Sequence, residues 1–206
     1  MCIRHSVLPP IMTAHRDIRV NRNHLASILL LLLCACAAAP GPHVEDKLDA
    51  RTGSTVSVIP DPLELLTSTY FGVRTGAFAY LGPFETDQMG TRALFLWVLV
   101  PHDVSSSVVP VIRCDDNPVS LPLQSGSLGD MGIAEPPYEP PDPWGTQWYF
   151  ALDDTTLSCF AHAHAITVDI PNARGDLAHF TVESAKSRSG FPVLETFAAR
   201  RGTKSL

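Results

Sequence analysis

Two histidines two residues apart, His162 and His164, are the first residues whose type and spacing suggest chemistry. On an extended strand, side chains two apart project to the same side, so both imidazoles can face one metal ion through ring nitrogens. A metal site needs three or four ligands, and spacing alone assigns neither His43, His102, His179 nor any carboxylate to the pair. The bland alternative is two polar residues on a solvent-facing strand. A second group is aromatic: Tyr138, Trp144, Trp148 and Tyr149 flank the Pro-rich run EPPYEPPDP at residues 135–143. Aromatics beside a pre-extended loop form a recognition surface for a peptide, glycan or partner protein, with Tyr138 and Trp144 as the candidate contacts. The competing view puts Trp148 and Phe150 in the core, with Trp144 sealing the loop. The acidic pairs Asp115-Asp116 and Asp153-Asp154 lack the regular oxygen spacing of a calcium loop and read as turns.

Nucleophilic and phosphate chemistry find no motif. No Gly-x-Ser-x-Gly elbow occurs, and no glycine-rich phosphate loop opens a helix. No cofactor is called for, and the expectation is a protein that is not an enzyme.

The elements that must position these residues read as β. The chain has 206 residues, with 18 Pro and 13 Gly, which favours many short elements joined by turns. Thr55, Val56, Ser57, Val58 and Ile59 predict a first strand, and residues 60–66 a brief helical turn. Residues 67–73 and 76–81 read as a hairpin around Arg74-Thr75. Residues 92–100, RALFLWVLV, are too short to span a membrane and suit a strand buried on both faces. Residues 108–113 and 119–123 are strand candidates pushed to sheet edges by Pro110 and Pro122. Residues 124–145 form the longest loop, with its Pro-rich part extended and exposed.

Residues 147–152 and 157–170 resume β character. In the latter, Ser158, Phe160, His162, His164 and Ile166 share one face, and Cys159, Ala161, Ala163, Ala165 and Thr167 the other. A last strand at 177–183 precedes Val193, Leu194, Phe197 and Ala198 at helical spacing. The prediction is a mainly β, single antiparallel β-sandwich-like domain with a long Pro-rich loop and a short C-terminal helix.

The amino-terminal stretch is a processing signal. Arg16, Arg19 and Arg22 precede the apolar run LASILLLLLCACAAA at residues 25–39, which ends against Pro40, Gly41 and Pro42. That is a basic region, an apolar region and a small-residue cleavage region, shorter than a spanning helix needs. Leu33-Cys34-Ala35-Cys36 resembles the lipobox of bacterial lipoproteins, in which the final Cys is acylated. The resemblance implies Cys36 as the lipidated residue, attachment to the lipid bilayer through it, and outer-membrane sorting because Ala37 rather than Asp follows. Residues 49–56, DARTGSTV, are similar to the opening of uncharacterised exported lipoproteins of Gram-negative bacteria. The expected organisation is a signal peptide over 1–35, a lipidated tether over 36–47 and a β-rich globular domain over 48–206. Two alternatives stay open: cleavage near Ala39 to release a soluble protein, and a start at Met12.

Export gives the cysteines their context. Beyond the signal only Cys114 and Cys159 remain in the domain, and an even pair in an oxidising compartment predicts a disulfide contributing about 2 to 4 kcal/mol. Two free thiols are the alternative. Of 15 basic and 21 acidic residues, Arg4, Arg16, Arg19, Arg22 and Asp17 lie in the signal, leaving 11 and 20 and a net charge of −9. An acidic domain without a basic cluster excludes a nucleic-acid partner. The expectation is an envelope scaffold or binding module with an envelope protein or glycan partner. A metal-binding protein or metal-dependent hydrolase using His162 and His164 is the alternative.

Overall fold

A computed structural model describes residues 41–67, 78–102, 104, 107–141, 143–172, 175–184 and 190–204. Cys36, the signal segment and the expected turn at Arg74-Thr75 lie outside these residues. The described elements belong to one compact unit, Gly41–Leu206. They comprise β1 (Glu45–Asp49), β2 (Ser54–Val58), β3 (Leu63–Thr67), β4 (Phe78–Gln88), β5 (Thr91–Val100), β6 (Val111–Cys114), β7 (Asn117–Pro118), β8 (Thr146–Ala151), α1 (Asp154–His162), β9 (Ala165–Pro171), β10 (Leu177–Glu183) and α2 (Gly190–Lys204). The chain is mainly β, antiparallel and sandwich-like with a short C-terminal helix, as its sequence predicts. All ten strands join one open sheet.

β5 is the centre of that sheet. It pairs along its length with β4 and on its other side with β8, and residues 94–100 are all buried. A near-continuous apolar run is what a strand covered on both faces requires. The β4–β5 hairpin turns at Met89 and Gly90, both at positive φ (54° and 86°), with the Gly90 N–H donating to Asp87 Oδ1 at 2.9 Å. Two successive positive-φ residues match the right-handed twist of the flanking strands.

β2 and β3 lie end to end along the other edge of β4. Val58 pairs with Phe84 and Leu63 with Leu81, so residues 59–62 bulge out opposite only Gly82 and Pro83. The sheet then continues through β3, β10, β9, β6 and β7.

Register fixes which side chains share a face, because neighbours along a strand alternate and directly opposed residues do not. The front face carries Val56, Val58, Phe84, Phe95, Trp97 and Tyr149, and further along Val111, Arg113, Asp169 and His179. The back face carries Asp46, Ser57, Glu85, Ile112, Cys114, Val168 and Phe180. Both helices close the back face. α1 is tied to β6 by a Cys114–Cys159 disulfide, and α2 places Arg201 Nη1 2.5 Å from the buried Glu85 and Arg200 on Asp46. Arg201 Nε also meets Asp154 of α1 at 2.7 Å. Burial, the largest single influence, lowers the Arg201 pKa, but its bonds to Asp154 and Glu85 and their charges together outweigh it, and the net shift is upward. Phe160, Leu194 and Phe197 are fully buried beneath this layer.

Four expectations are corrected. Residues 157–170 are not one strand: α1 ends at His162 and β9 begins at Ala165. Leu157, Phe160 and Ala161, the buried residues of α1, stand at helical and not alternating spacing, and Asp153 caps the helix, its Oδ1 accepting from the Thr156 N–H at 2.6 Å. That bond holds the Asp153 carboxyl below its ordinary range.

Residues 60–66 form no helical turn; Leu63 and Leu65 alternate into the core as part of β3. Residues 119–123 form no strand; only Leu123 bridges Phe150, and Pro122 and Gln124 bond to β8 and cover its outer edge. The sheet also reaches back into the expected tether, since β1 starts at Glu45 and its charged EDKLD sequence makes an edge that resists further pairing.

Candidate functional site

The front face divides into two parts. Residues 124–145 cover one part, and Tyr138 is the anchor. Its ring packs against Trp97, with centroids 5.1 Å apart, and lies over Gly82, where a Cβ would come within 2.5 Å of it. Only glycine permits that approach. The Tyr138 hydroxyl donates to Pro83 O at 2.5 Å and accepts from the Ile59 backbone N–H.

Ile59 and Pro83 flank the bulge between β2 and β3, so the side chain takes up two backbone groups at the break in the ladder. Burial pushes the phenol pKa upward, and the Ile59 bond offsets this only in part. A second tie binds the loop to the β1–β2 turn: Asp49 accepts from Ala134 at 2.5 Å and from Arg51 and Thr52 at 2.9 and 3.2 Å. The Ala134 bond, followed by those from Thr52 and Arg51, lowers the Asp49 pKa. Burial pushes Tyr149 up to about 12, and its hydroxyl donates to Gln147 Oε1, which also accepts from Trp97 Nε1.

The proposed aromatic recognition group is therefore dispersed. Tyr138 is 4% exposed and belongs to the core, so it cannot contact a partner, whereas Trp144 is 79% exposed at the end of the same loop. Trp148 and Tyr149 are half-buried in β8. Pro137 is buried with Tyr138, so the Pro-rich run is not the freely exposed segment its composition implies. Proline supplies a stiff approach that delivers a tyrosine into a gap, and composition cannot distinguish that use from an exposed linker.

The other part of the front face, on β6, β9 and β10, is open and carries a buried charge. Asp169, 4% exposed, lies opposite Val111 on one side and His179 on the other. Its Oδ2 is 2.6 Å from Arg113 Nε and its Oδ1 is 2.6 Å from His179 Nδ1. Arg113 also donates to Asp116 O at 3.2 Å. The carboxylate is thus buried by its own partners, each reaching over it from a flanking strand, and both oxygens are satisfied. The Thr167 and Thr181 hydroxyls pair at 3.0 Å beside it. Val111 and Leu177 are exposed on the same face, and Val108 and Val109 are exposed just ahead of β6. Sequence reasoning left His179 unplaced because its partner Asp169, and Arg113 on the other oxygen of that carboxylate, lie 10 and 66 residues away in the chain.

His162 and His164 sit elsewhere, at the corner where α1 meets β9. His162 is the last residue of the helix, and its Nδ1 is 2.8 Å from Ser158 O; His164 lies in the connection, its backbone N–H donating to Asp115 Oδ1 at 2.7 Å. They do not share a strand face, which corrects the geometry expected of the pair. No group of three His, Cys, Asp or Glu placed to hold a metal ion occurs among the described residues.

No family model, curated protein or solved structure matches the chain.

Proposed function

We propose that this chain is an exported lipoprotein, held on the outer membrane by acylated Cys36, whose β domain is a non-catalytic binding module or scaffold of the cell envelope. The observation that carries the reading is Leu33-Cys34-Ala35-Cys36 at the end of a basic-then-apolar segment. The Cys114–Cys159 disulfide supports it, because such bonds persist in exported proteins and are rare in reducing compartments. Acyl chains contribute about 0.8 kcal/mol per buried methylene, and two or more make the attachment stable.

Within that reading, the contact surface is the open front face of β6, β9 and β10. Exposed Val111 and Leu177 stand on the strands flanking Asp169, and apolar side chains interleaved with the Arg113–Asp169–His179 cluster give the mixed composition of a non-obligate protein interface. The partner is an envelope protein rather than a nucleic acid, which the acidic balance disfavours.

Intact mass of the protein from its own membrane fraction tests the anchor. A chain beginning at Cys36 with acyl groups is the expected result, with a gain of about 2 Da on reduction as one disulfide becomes two thiols. An unacylated chain beginning after Ala39 would sink the anchor and leave a released domain.

A further inference from the structure

The corner that separates His162 from His164 brings a different set of metal-ligating groups together. Cys159 and His162 lie three apart on α1, so they are neighbours on the helix surface, with Cβ atoms about 5 to 6 Å apart. Cys114 is brought to the same place by the disulfide, its Cα 6.3 Å from that of Cys159. Joined as a disulfide, the sulfurs cannot act as thiolate ligands, and the oxidised corner offers no metal site. We propose that reduction of Cys114–Cys159 creates one: the two thiolates and the His162 imidazole bind a single thiophilic divalent cation of the Zn²⁺ class, with the fourth position open to solvent.

Three observations support the assignment. The first is the orientation of His162. Its Nδ1 is 2.8 Å from Ser158 O, which can only accept, so the ring is turned to donate through Nδ1 and to present Nε2 to a ligand. Metal-binding histidines are ordinarily held in this way, with the second ring nitrogen donating to a backbone carbonyl.

The second is field. His162 terminates α1, whose C-terminal carbonyls present partial negative charge, and Asp115 and Asp116 follow Cys114 directly. The third is reach. Sulfurs each about 2.3 Å from a tetrahedral ion are about 3.8 Å apart, a separation that side-chain rotation supplies from Cα atoms at bonding distance. The frame itself need not move: Leu157, Phe160 and Ala161 stay buried, and Asp115 holds the backbone N–H groups of His164 and Ala165.

The electrons and protons balance. A dithiol reductant becomes a disulfide as Cys114 and Cys159 become thiols, and the cation then displaces one proton from each thiol. Because Cys159 is exposed and Cys114 is 1% exposed, the reductant's thiolate attacks the Cys159 sulfur, and Cys114 leaves. Oxidation by a dithiol-disulfide partner reverses the exchange and releases the ion. The site is thus a redox-gated cation site, and it does not depend on whether Cys36 is acylated.

Co²⁺ titration of the full chain reads this directly, since thiolate ligation gives a near-ultraviolet charge-transfer band and tetrahedral geometry gives visible bands. The chain is taken oxidised, and again after reduction with a phosphine, whose lack of a thiol avoids competition. The expected result is one Co²⁺ bound only after reduction, displaced by Zn²⁺, with two protons released per ion. Cys114→Ser abolishes the band. His162→Ala weakens binding at least about tenfold, the smallest loss that removal of even a supporting partner brings.

His43→Ala, an exposed histidine ahead of β1 and outside the ligand set, leaves binding unchanged. Zn²⁺ also protects both thiols from alkylation in the parent chain but not in His162→Ala, a readout that stands if a serine variant folds poorly. A reduced chain that gives no charge-transfer band, or one whose affinity is indifferent to His162→Ala, overturns the proposal.

Discussion

The two parts of the front face are built from the same sheet, and they handle polar groups in opposite ways. Under the 124–145 loop, the ladder between β4 and its β2–β3 edge is interrupted opposite Gly82 and Pro83, and one side chain from a distant loop fills the break with both a ring and a hydroxyl. On β6, β9 and β10 the ladder is unbroken, and the unusual feature is a buried carboxylate covered by the Arg113 and His179 side chains that bind it. The first arrangement is a packing solution, in which loss of one residue exposes apolar rings and orphans backbone groups together. The second is local, and its parts are reachable from solvent. Stability should therefore reside under the loop and contact chemistry on the open part.

Tyr138→Ala gives the largest effect expected of this contrast. Removing a fully packed aromatic costs about 3 to 5 kcal/mol in denaturant unfolding. Tyr138→Phe keeps the ring but orphans the bonding groups of Ile59 and Pro83, costing about 1 to 3 kcal/mol. If Tyr138→Ala costs under 1 kcal/mol, the loop is an ornament and the contrast collapses.

Gly82→Ala should cost about 1 to 3 kcal/mol by forcing the Tyr138 ring away. In a double-mutant cycle with Tyr138→Ala that cost should shrink towards zero, because the clash is with the absent ring.

Acid tests the loop's other tie. Asp49 has a lowered folded-state pKa, so its contribution is present above the unfolded carboxylate value near 3.9 and is lost as pH falls through the lower folded value. Asp49→Asn should flatten the acid limb of the stability profile below about pH 4 and leave the slope near neutrality unchanged. An unaltered acid limb would remove Asp49 from the account.

The open part should show the smallest stability effects. His179→Ala removes a half-exposed partner and should cost no more than about 1 kcal/mol, less at high salt. Val111→Thr with Leu177→Thr should change stability by under about 0.5 kcal/mol. The same double variant should abolish cross-linking of the domain to the proposed envelope partner in intact membranes. Unchanged cross-linking would move the contact surface off this face.

Local pattern made much of the fold legible. The nine-residue run at 92–100 could satisfy its apolar side chains only between two layers, and it is the central strand. Val193, Leu194 and Phe197 could share one side only in a helix, and they lie in α2. In residues 157–162 the buried Leu157, Phe160 and Ala161 stand at helical spacing behind the Asp153 cap, but the alternation of the residues that follow into β9 masks that short helix. The cap stood in the sequence, but an aspartate in an Asp-Asp pair reads as readily as a turn.

The candidate surfaces were less legible, because their members come from distant segments. Cys114 and Cys159 were matched because no other cysteine lies beyond residue 36. Nothing in residue type or spacing matched Asp169 with Arg113 and His179, or Tyr138 with Gly82, since any carboxylate suits an arginine and any glycine suits a ring.

The sequence by itself determined the β class, the central strand, the terminal helix and the cysteine pairing, all properties of a short periodic window or of a residue type too scarce to mispair. The tertiary structure alone decided that a tyrosine from a proline-rich loop seals a gap in the sheet. It also decided that a histidine and an arginine 66 residues apart share one buried carboxylate, and that Cys159 stands a helical turn from His162 rather than across a strand from it. Register and loop closure set those neighbours, and neither is a property of any window of chain short enough to read for its period.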